Sequence, residues 1–321
     1  MTIKEQVLSS LIKAQGKSVS GEALANELFC SRNAVWKAIK SLRSDGYRID
    51  AVTNKGYCLA EENEIFSKIS IEKYLKTDCD IILLDETEST NNYLKAKAES
   101  GAKENTVVIA KNQTKGKGRL GREFFSHESG VYMSILLKPK FAASKSLFIT
   151  TAAAVAVSQA IEEISGRKAG IKWVNDIFID NRKVCGILTE GSINFETGGL
   201  YYAVLGIGVN VYYPNNDFPE ELREIAGAVY KTKPKDKEIK QKLIAKIIDN
   251  FFEIYNNFES SGFMQEYKQK SIVLGKEIFV LKGEKRKKAK ALDIDDNACL
   301  IVKYENGEIE VLSSGEVSVR L

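Results

Sequence analysis

The sequence predicts a multidomain α+β protein, and three observations predict it. An N-terminal stretch carries helical periodicity and then alternates around a single turn. The middle of the chain mixes strand-like and helix-like segments without a regular strand–helix alternation. The C-terminal stretch is a series of short strand-like runs separated by polar turns. A chain of 321 residues matches two or three domains at roughly 100–200 residues each.

In the N-terminal stretch, Val7, Leu8, Leu11 and Ile12 share one helical face, and Gly16 ends the pattern. Gly21–Phe29 forms a second short helix, with Leu24 and Leu28 one turn apart. Ser31 is a suitable N-cap for a third, whose apolar stripe is Val35, Ala38, Ile39 and Leu42 and which Gly46 stops. Tyr47 to Leu59 alternates around Asn54, Lys55 and Gly56, as a β-hairpin does. Helix, helix, short turn, helix, hairpin is the pattern of a winged helix-turn-helix. Within the third helix and its flank, Arg32, Lys37, Lys40, Arg43 and Arg48 face one acid, Asp45. These cations lie off the apolar stripe, where a recognition helix needs its donors. A solvated helix face, or a winged helix that binds protein, is the other reading.

The polar, acidic stretch around Glu61–Glu64 is a linker. Beyond it, Ile81–Leu84, Thr106–Ala110, Val131–Leu137, Ile177–Ile179, Val184–Leu188 and Tyr201–Val211 read as strands, and Thr150–Ser165 and Lys237–Tyr255 as helices. Ile278–Leu281, Ala289–Ile294, Cys299–Tyr304, Ile309–Leu312 and Val317–Leu321 are short strands of a small β-barrel or sandwich. The expected domains are therefore 1–65, 66–270 and 271–321.

Composition narrows the function. With 44% hydrophobic and 28% charged residues, the chain is not a wholly disordered one. The apolar run Thr150–Val157 is far short of the roughly 20 residues that span a bilayer, and Met1–Ser10 carries Lys4 and Glu5 and no long apolar core, so no leader is expected. Five dispersed cysteines argue against a disulfide framework or a zinc site and fit a reducing, cytoplasmic setting. With His127 the single histidine, neither a Ser-His-Asp triad nor a multi-histidine metal site is expected. A net charge of +4 means that any nucleic-acid-binding surface is local.

Two motifs carry chemistry. Gly116, Gly118 and Gly121 satisfy the spacing GxGxxG, but the residues after them lead into the strand-like Val131–Leu137 and not into a helix, so a dinucleotide fold reads poorly. Lys117, Arg119 and Arg122 sit in the same frame. Backbone N–H groups and cations on a glycine-rich loop suit a phosphate; a plain basic surface loop is the alternative. Second, Lys172-Trp173-Val174-Asn175-Asp176 is followed by Arg182 and Lys183 ahead of the apolar Val184–Leu188. Lys183 at the edge of that strand is either snorkelling or held at a site wall facing an anion. Asn175 and Asp176 could orient a nucleotide or a metal.

Taken together, these motifs closely resemble the bifunctional biotin protein ligase and biotin operon repressor family over nearly the whole chain. The matching pieces, in order, are Ser89-Thr90-Asn91, Gln113 with Gly116 to Arg122, Lys172 to Asp176, Arg182-Lys183, Gly206 to Asn210, and Gly315 to Arg320. Lys117 stands where the commonest form of the loop has Arg, which keeps the charge but loses a bidentate fork. Phe124 stands where some members have Trp facing the adenine.

The resemblance implies a winged helix-turn-helix, a mixed α/β ligase domain and a C-terminal SH3-like barrel. It also implies two-step chemistry. Biotin and ATP, with Mg²⁺, give biotinyl-5′-AMP, and a lysine of a biotin carboxyl carrier protein then takes the biotin. Lys183 and Arg119 would be catalytic. Ser89, Thr90, Asn91, Gln113, Gly116, Lys117, Gly118, Arg119 and Lys183 would bind biotin. Arg119, Arg122, Phe124, Asn175, Asp176, Lys183, Asn210, Glu316 and Arg320 would lie on the nucleotide side, with Mg²⁺ near Asp176. Ser31, Arg32, Asn33, Lys37, Lys40, Arg43 and Lys55 would meet operator DNA, with biotinyl-5′-AMP as corepressor of a homodimer. Rival readings are a lipoate–protein ligase, a ligase that has lost DNA binding, and a transcription factor whose large domain only senses a ligand. The basic run Lys282–Lys290 reads as a solvated hairpin face or a second DNA or carrier contact, and His127 as a loop residue without a catalytic role.

Overall fold

The computed structural model describes residues 2–14, 16–44, 47–52, 55–60, 66–194, 196–258, 260, 262–282, 285–313 and 316–319. The chain divides into two compact units, 1–73 and 74–321, each taken in turn.

The first unit contains α1 (Ile3–Lys13), α2 (Gly21–Glu27), α3 (Arg32–Ser44), the hairpin β1 (Ile49–Val52) and β2 (Gly56–Leu59), and α4 (Lys68–Glu72). Thr2 and Glu5 form a reciprocal capping box at the start of α1, and the Ser31 hydroxyl accepts from the Ala34 N–H at 3.1 Å at the start of α3. Val7, Leu11, Leu24, Val35, Ile39 and Leu42 meet in one core with Ile49 and Leu59 of the hairpin. Ile49 pairs with Leu59 and Val52 with Gly56. Val19 exchanges both backbone hydrogen bonds with Tyr57, and a Cβ on Gly56 would strike the Val19 carbonyl. The helix-turn-helix with a wing is therefore present. The expected stop at Gly46, the turn residue Asn54 and the acidic linker Glu61–Glu64 lie outside the described residues.

The second unit is built on a mixed sheet in the order β3 (Asp80–Thr87), β4 (Thr106–Gln113), β5 (Gly130–Leu137), β9 (Leu200–Asn210), β8 (Arg182–Ile193), β7 (Asp176–Ile179) and β6 (Gly170–Lys172). Only β3 and β4 run parallel among the described strands. α5 (Thr90–Glu99) packs on β4, β5 and β9. α6 (Leu147–Ser165) packs on α7 (Ile239–Tyr255), α8 (Phe263–Gln269) and β6 to β8. Alternation along the strands sorts the sheet into two faces. Leu94 of α5 meets Val108, Leu136 and Val204 on one face. Ile135, Ile187, Leu205 and Ile207, which point the other way, are also buried. β5 is buried along its entire length, as a strand covered on both faces must be.

α6 begins three residues before the expected Thr150, because the 3₁₀ turn Ala143–Lys145 leads into it. Among the described residues it is the one helix long and apolar enough to cross a membrane. It is nevertheless a core helix, with two-thirds (67%) of its most apolar window buried. The C-terminal residues form an antiparallel sheet in the order β13 (Ile309–Leu312), β12 (Leu300–Tyr304), β11 (Lys285–Ile294), β10 (Glu277–Lys282), β14 (Glu316–Val319). Among the described residues β13 and β14 do not pair, so the sheet has two free edges. This sheet is tied to the mixed sheet by the buried Trp173 indole N–H, which donates to the Ala298 carbonyl at 3.0 Å. Exchange between Ile171 and the Lys270–Ile272 backbone adds a second tie.

Leu94 has no exposed surface, and α5 carries the Thr90-Asn91 segment. Leu94→Ala is expected to destabilise this unit by about 3 kcal/mol through lost transfer energy and a residual cavity, read as a lower urea midpoint at unchanged slope.

Candidate active site

The face of the mixed sheet that carries Leu94 is bare next to it. Gly186 pairs with Gly208, and Leu188 with Gly206, across β8 and β9, which leaves a glycine floor. A Cβ at Gly208 would stand 2.8 Å from the Phe124 ring, and one at Gly206 would strike the Asn91 amide. The space over this floor is a cleft of about 460 Å³. Its walls include Ser89, Thr90 and Gln113 at one end, the Lys117–Phe124 loop above, and Asn175, Asp176 and Lys183 at the other end. Leu281 of β10 closes part of the rim.

The loop is ordered by its own backbone. Gly118 N–H donates to Arg122 carbonyl at 2.7 Å and Phe124 N–H to Gly116 carbonyl at 2.8 Å, so residues 116–124 fold back as a narrow hairpin. Its tip is Leu120, exposed and in the left-handed region, followed by Gly121 with φ of 75°. Arg119 Nη1 reaches across the cleft to Asn175 Oδ1 at 3.2 Å, and Lys117 Nζ donates to Asn92 Oδ1 at 2.8 Å. Asn175 is itself held by exchange with Ile187, its Nδ2 donating to the Ile187 carbonyl at 2.8 Å. Lys183 Nζ lies 2.7 Å from Asp176 Oδ1. The Lys183 backbone is clamped by Ile225 and Gly227 on either side, and the Arg182 guanidinium donates to the Arg223 carbonyl.

At the opposite end the groups are neutral. The Thr90 N–H donates to Gln113 Oε1 at 2.8 Å, and Gln113 Nε2 donates to Ser126 Oγ at 3.1 Å. Thr90, Asn91 and Ser134 are almost completely buried. One end of the cleft is thus polar and uncharged, and the other holds cations within reach of a carboxylate. This arrangement can bind a neutral hydrogen-bonding head and bring its far end to an anion.

Of the sequence-derived residues, Ser89, Thr90, Asn91, Gln113, Lys117, Gly118, Arg119, Arg122, Phe124, Asn175, Asp176 and Lys183 line this one cleft. Gly116 lies under the Phe124 backbone. Asn210 turns away from the cleft, its Nδ2 donating to the Gly227 carbonyl at 2.9 Å. The Glu316 side chain and Arg320 lie outside the described residues; the backbone of Glu316 pairs with Leu281 at the rim. On the other unit, Arg32, Asn33, Lys37 and Lys40 are exposed along α3 and Lys55 in the hairpin, with Ser31 capping the helix. Arg43 is engaged instead with the Ile49 carbonyl at 2.8 Å.

Sequence reasoning passed over Ser126 and Ser134, and over Trp36. Ser134 is the one polar residue in the apolar run Val131–Leu137, a signal that was there to read. Trp36 is half-exposed on α3 with Lys40 over its ring, and its position off the apolar stripe was the clue.

His127 packs with Phe125 and Phe218, its Nδ1 against Ser129 Oγ. Burial holds its pKa down at about 4, helped by the charge of Lys240 and opposed by the neighbouring Asn210 side chain.

Fold and site together define a protein with a cationic, glycine-floored cleft in a mixed sheet and a winged helix-turn-helix N-terminal unit. Comparison with known proteins makes the class specific. Residues 83–210 match the biotin/lipoate A/B protein ligase family, 4–58 a helix-turn-helix domain, and 273–320 the biotin protein ligase C-terminal domain. The chain is 34% identical to the bifunctional ligase/repressor BirA of Bacillus subtilis over 98% of both chains. It is 28% identical to the biotin–[acetyl-CoA-carboxylase] ligase of Mycobacterium tuberculosis, over 72% of this chain and 86% of that one. The biotin protein ligase of Aquifex aeolicus, solved with biotin and ATP, superposes with a TM-score of 0.61 at 31% identity over 75% of this chain and 98% of that one. The chain belongs to the biotin protein ligase family, among the bifunctional ligase/repressors.

Because the His127 pKa is depressed in the fold, the unfolded chain binds the extra proton first. Stability should be full above about pH 6.5 and fall as pH drops toward about 4. His127→Gln is expected to flatten that part of the curve, measured as urea midpoint against pH.

Proposed function

We propose that the protein activates biotin with Mg–ATP to biotinyl-5′-AMP and transfers the biotin to a lysine of a biotin carboxyl carrier protein, and that it represses transcription through its N-terminal unit. One observation carries the reading. A single glycine-floored cleft joins the neutral Thr90–Gln113 end to the Lys183–Asp176 and Arg119–Asn175 pairs.

The urea-like ring of biotin is satisfied by donors and acceptors of Ser89, Thr90, Asn91 and Gln113, and the glycine floor with Phe124 takes its apolar body. That places the carboxylate beside Lys183 and Lys117. Carboxylate and triphosphate repel each other, and Lys183, Arg119 and Arg122 supply the positive charge that holds them in line. The carboxylate oxygen attacks the α-phosphorus, and the bond to pyrophosphate breaks. The deprotonated acceptor amine then attacks the acyl carbon and releases AMP. Mg²⁺ would come with ATP, with Asp176 the carboxylate that would hold it and Asn175 on the nucleotide side. Closure of the Gly116–Arg122 loop over the adenylate keeps water out.

In this reading the domains are 1–65, 66–270 and 271–321, the last of SH3-like type with its five-stranded sheet open between β13 and β14 among the described residues. The protein works in the cytoplasm. Arg32, Asn33, Lys37, Lys40 and Lys55, with Ser31 at the start of α3, form its operator surface, while Arg43 holds the hairpin through Ile49. One head with few phosphate contacts binds weakly, so two heads on an adenylate-bound homodimer read paired half-sites with multiplied affinity. Consumption of the adenylate by unbiotinylated carrier relieves repression. Incubation with biotin, Mg–ATP and a biotin carboxyl carrier domain, followed by mass spectrometry of the acceptor, tests the ligase reading; an unmodified acceptor lysine refutes it.

Lys183→Ala is expected to slow pyrophosphate release more than a hundredfold, on the order of 3 kcal/mol of transition-state stabilisation, with the fold retained by circular dichroism. Biotinyl-5′-AMP is expected to raise both the dimer fraction in sedimentation and the affinity for operator DNA; no change in either refutes the switch while leaving the ligase reading intact.

A further inference from the structure

The chain has two tryptophans, and the fold treats them in opposite ways. Trp173 is buried, with its indole N–H bonded to the Ala298 carbonyl. Trp36, on α3, is 51% exposed, and among the described residues its N–H has no partner. A large aromatic ring is normally drawn toward a core, and α3 packs on one. The helix cannot roll to bring Trp36 into it. Val35, Ile39 and Leu42 are at 1% exposure or less in the core of the first unit, and Arg43 is tied to the Ile49 carbonyl. At 3.6 residues per turn, the residue that follows Val35 is then turned outward.

Its neighbours outside are cationic. Arg32 and Lys40 stand one turn before and one turn after it, Lys37 follows it in sequence, and all three are exposed, as is Asn33. Lys40 Nζ lies 5.5 Å from the centre of the Trp36 ring, which braces the ring on one side and leaves the rest open. A recognition helix lies in the major groove with its N-terminal residues at the base edges. There each kind of side chain reads something different. Arginine and lysine donate to guanine or to phosphate, asparagine pairs with adenine, and an apolar surface meets the C5-methyl group of thymine. Among the described residues, Trp36 is the one large hydrophobic side chain exposed on α3. We propose that Trp36 is a specificity-determining residue of the DNA-binding unit, reading a thymine methyl group in each half-site of a DNA duplex.

The inference rests on the repressor reading of the N-terminal unit and adds a base to it. Contacts from cations to phosphate draw the unit to any duplex, because phosphates carry no sequence. The indole has no charge, so its contribution depends on which base edge it meets. A methyl group that leaves water against the ring is worth roughly fourfold in affinity per half-site, and about fifteenfold over the two half-sites of a dimer. A protein partner for the ring is disfavoured by its surroundings. The cores of protein interfaces are depleted in lysine, and here Lys37 and Lys40 flank the ring.

The test uses the full-length protein with biotinyl-5′-AMP. A pool of randomised duplexes is selected with wild type. Each thymine of the selected site is then replaced by deoxyuridine, which removes the methyl group and keeps the base pair. Affinities are measured for wild type, Trp36→Ala and Trp36→Phe, with folding checked by circular dichroism. In wild type, one symmetric pair of replacements is expected to lower affinity about fifteenfold. Trp36→Ala is expected to bind the unreplaced site at least about tenfold more weakly, and to change by less than about twofold on replacing that pair, because the contact is already gone. Trp36→Phe, which keeps an aromatic face, is expected to retain the sensitivity. Affinity for duplexes lacking the site and the slope of log affinity against log salt are expected to stay as in wild type, since no charge is altered. Should Trp36→Ala not fold, Trp36→Gln carries the same expectation. Equal deoxyuridine losses in wild type and Trp36→Ala, no deoxyuridine-sensitive position in wild type, a uniform loss by Trp36→Ala on all duplexes, or a lower dimer fraction of Trp36→Ala without DNA overturns the role of Trp36. Failure of wild type to select any sequence overturns the repressor reading itself, and this inference with it.

Discussion

A sheet face can receive a small molecule only where side chains leave it bare, and everything else at this site follows from that constraint. Gly186, Gly206 and Gly208 stand side by side on β8 and β9. Glycine inside a strand costs roughly 0.5–1 kcal/mol relative to alanine, and three together would weaken an isolated ribbon. Here the same strands carry Ile187, Leu205 and Ile207 on the opposite face, all buried. The helical layer thus stabilises from behind what the cleft needs empty in front. The emptiness is then used twice, by the Phe124 ring over Gly208 and by the Asn91 amide over Gly206.

Cations are the second requirement, and they are costly to gather without an anion present. Each of three is placed on a partner already in the protein: Lys183 on Asp176, Arg119 on Asn175 and Lys117 on Asn92. The partners hold these side chains in place, so an arriving anion would exchange with a held group and need not order a loose one. Two of those partners come from the Asn175-Asp176 segment at the head of β7. That segment is anchored on Ile187 of β8, so charge placement and floor share one set of strands.

Most elements were legible because their signals are local. The α3 stripe and its Ser31 cap, the hairpin after it, Val131–Leu137, and the helix ending at Tyr255 all appear where periodicity puts them. What was missed is short or depends on partners. β6 has three residues and exists because β7 pairs with it and the Lys270–Ile272 backbone lies along it. α5 has a modest apolar face, whose Leu94 becomes meaningful only against Val108, Leu136 and Val204. In the site, motif residues were legible by type, whereas the turning of Asn210 toward Gly227 and of Arg43 toward Ile49 was not. No spacing records which way a side chain points once its neighbours have packed.

The sequence by itself determined the classes of segment, the cationic glycine loop and the ordered motifs of the family. These are properties of residue type and of periods of two and 3.6, which act within a few residues. Tertiary structure alone decided the antiparallel register that sets Gly186 beside Gly208. It also decided the closure of two motifs more than fifty residues apart onto one cleft. Both depend on contacts between distant strands and helices, which local periodicity does not specify.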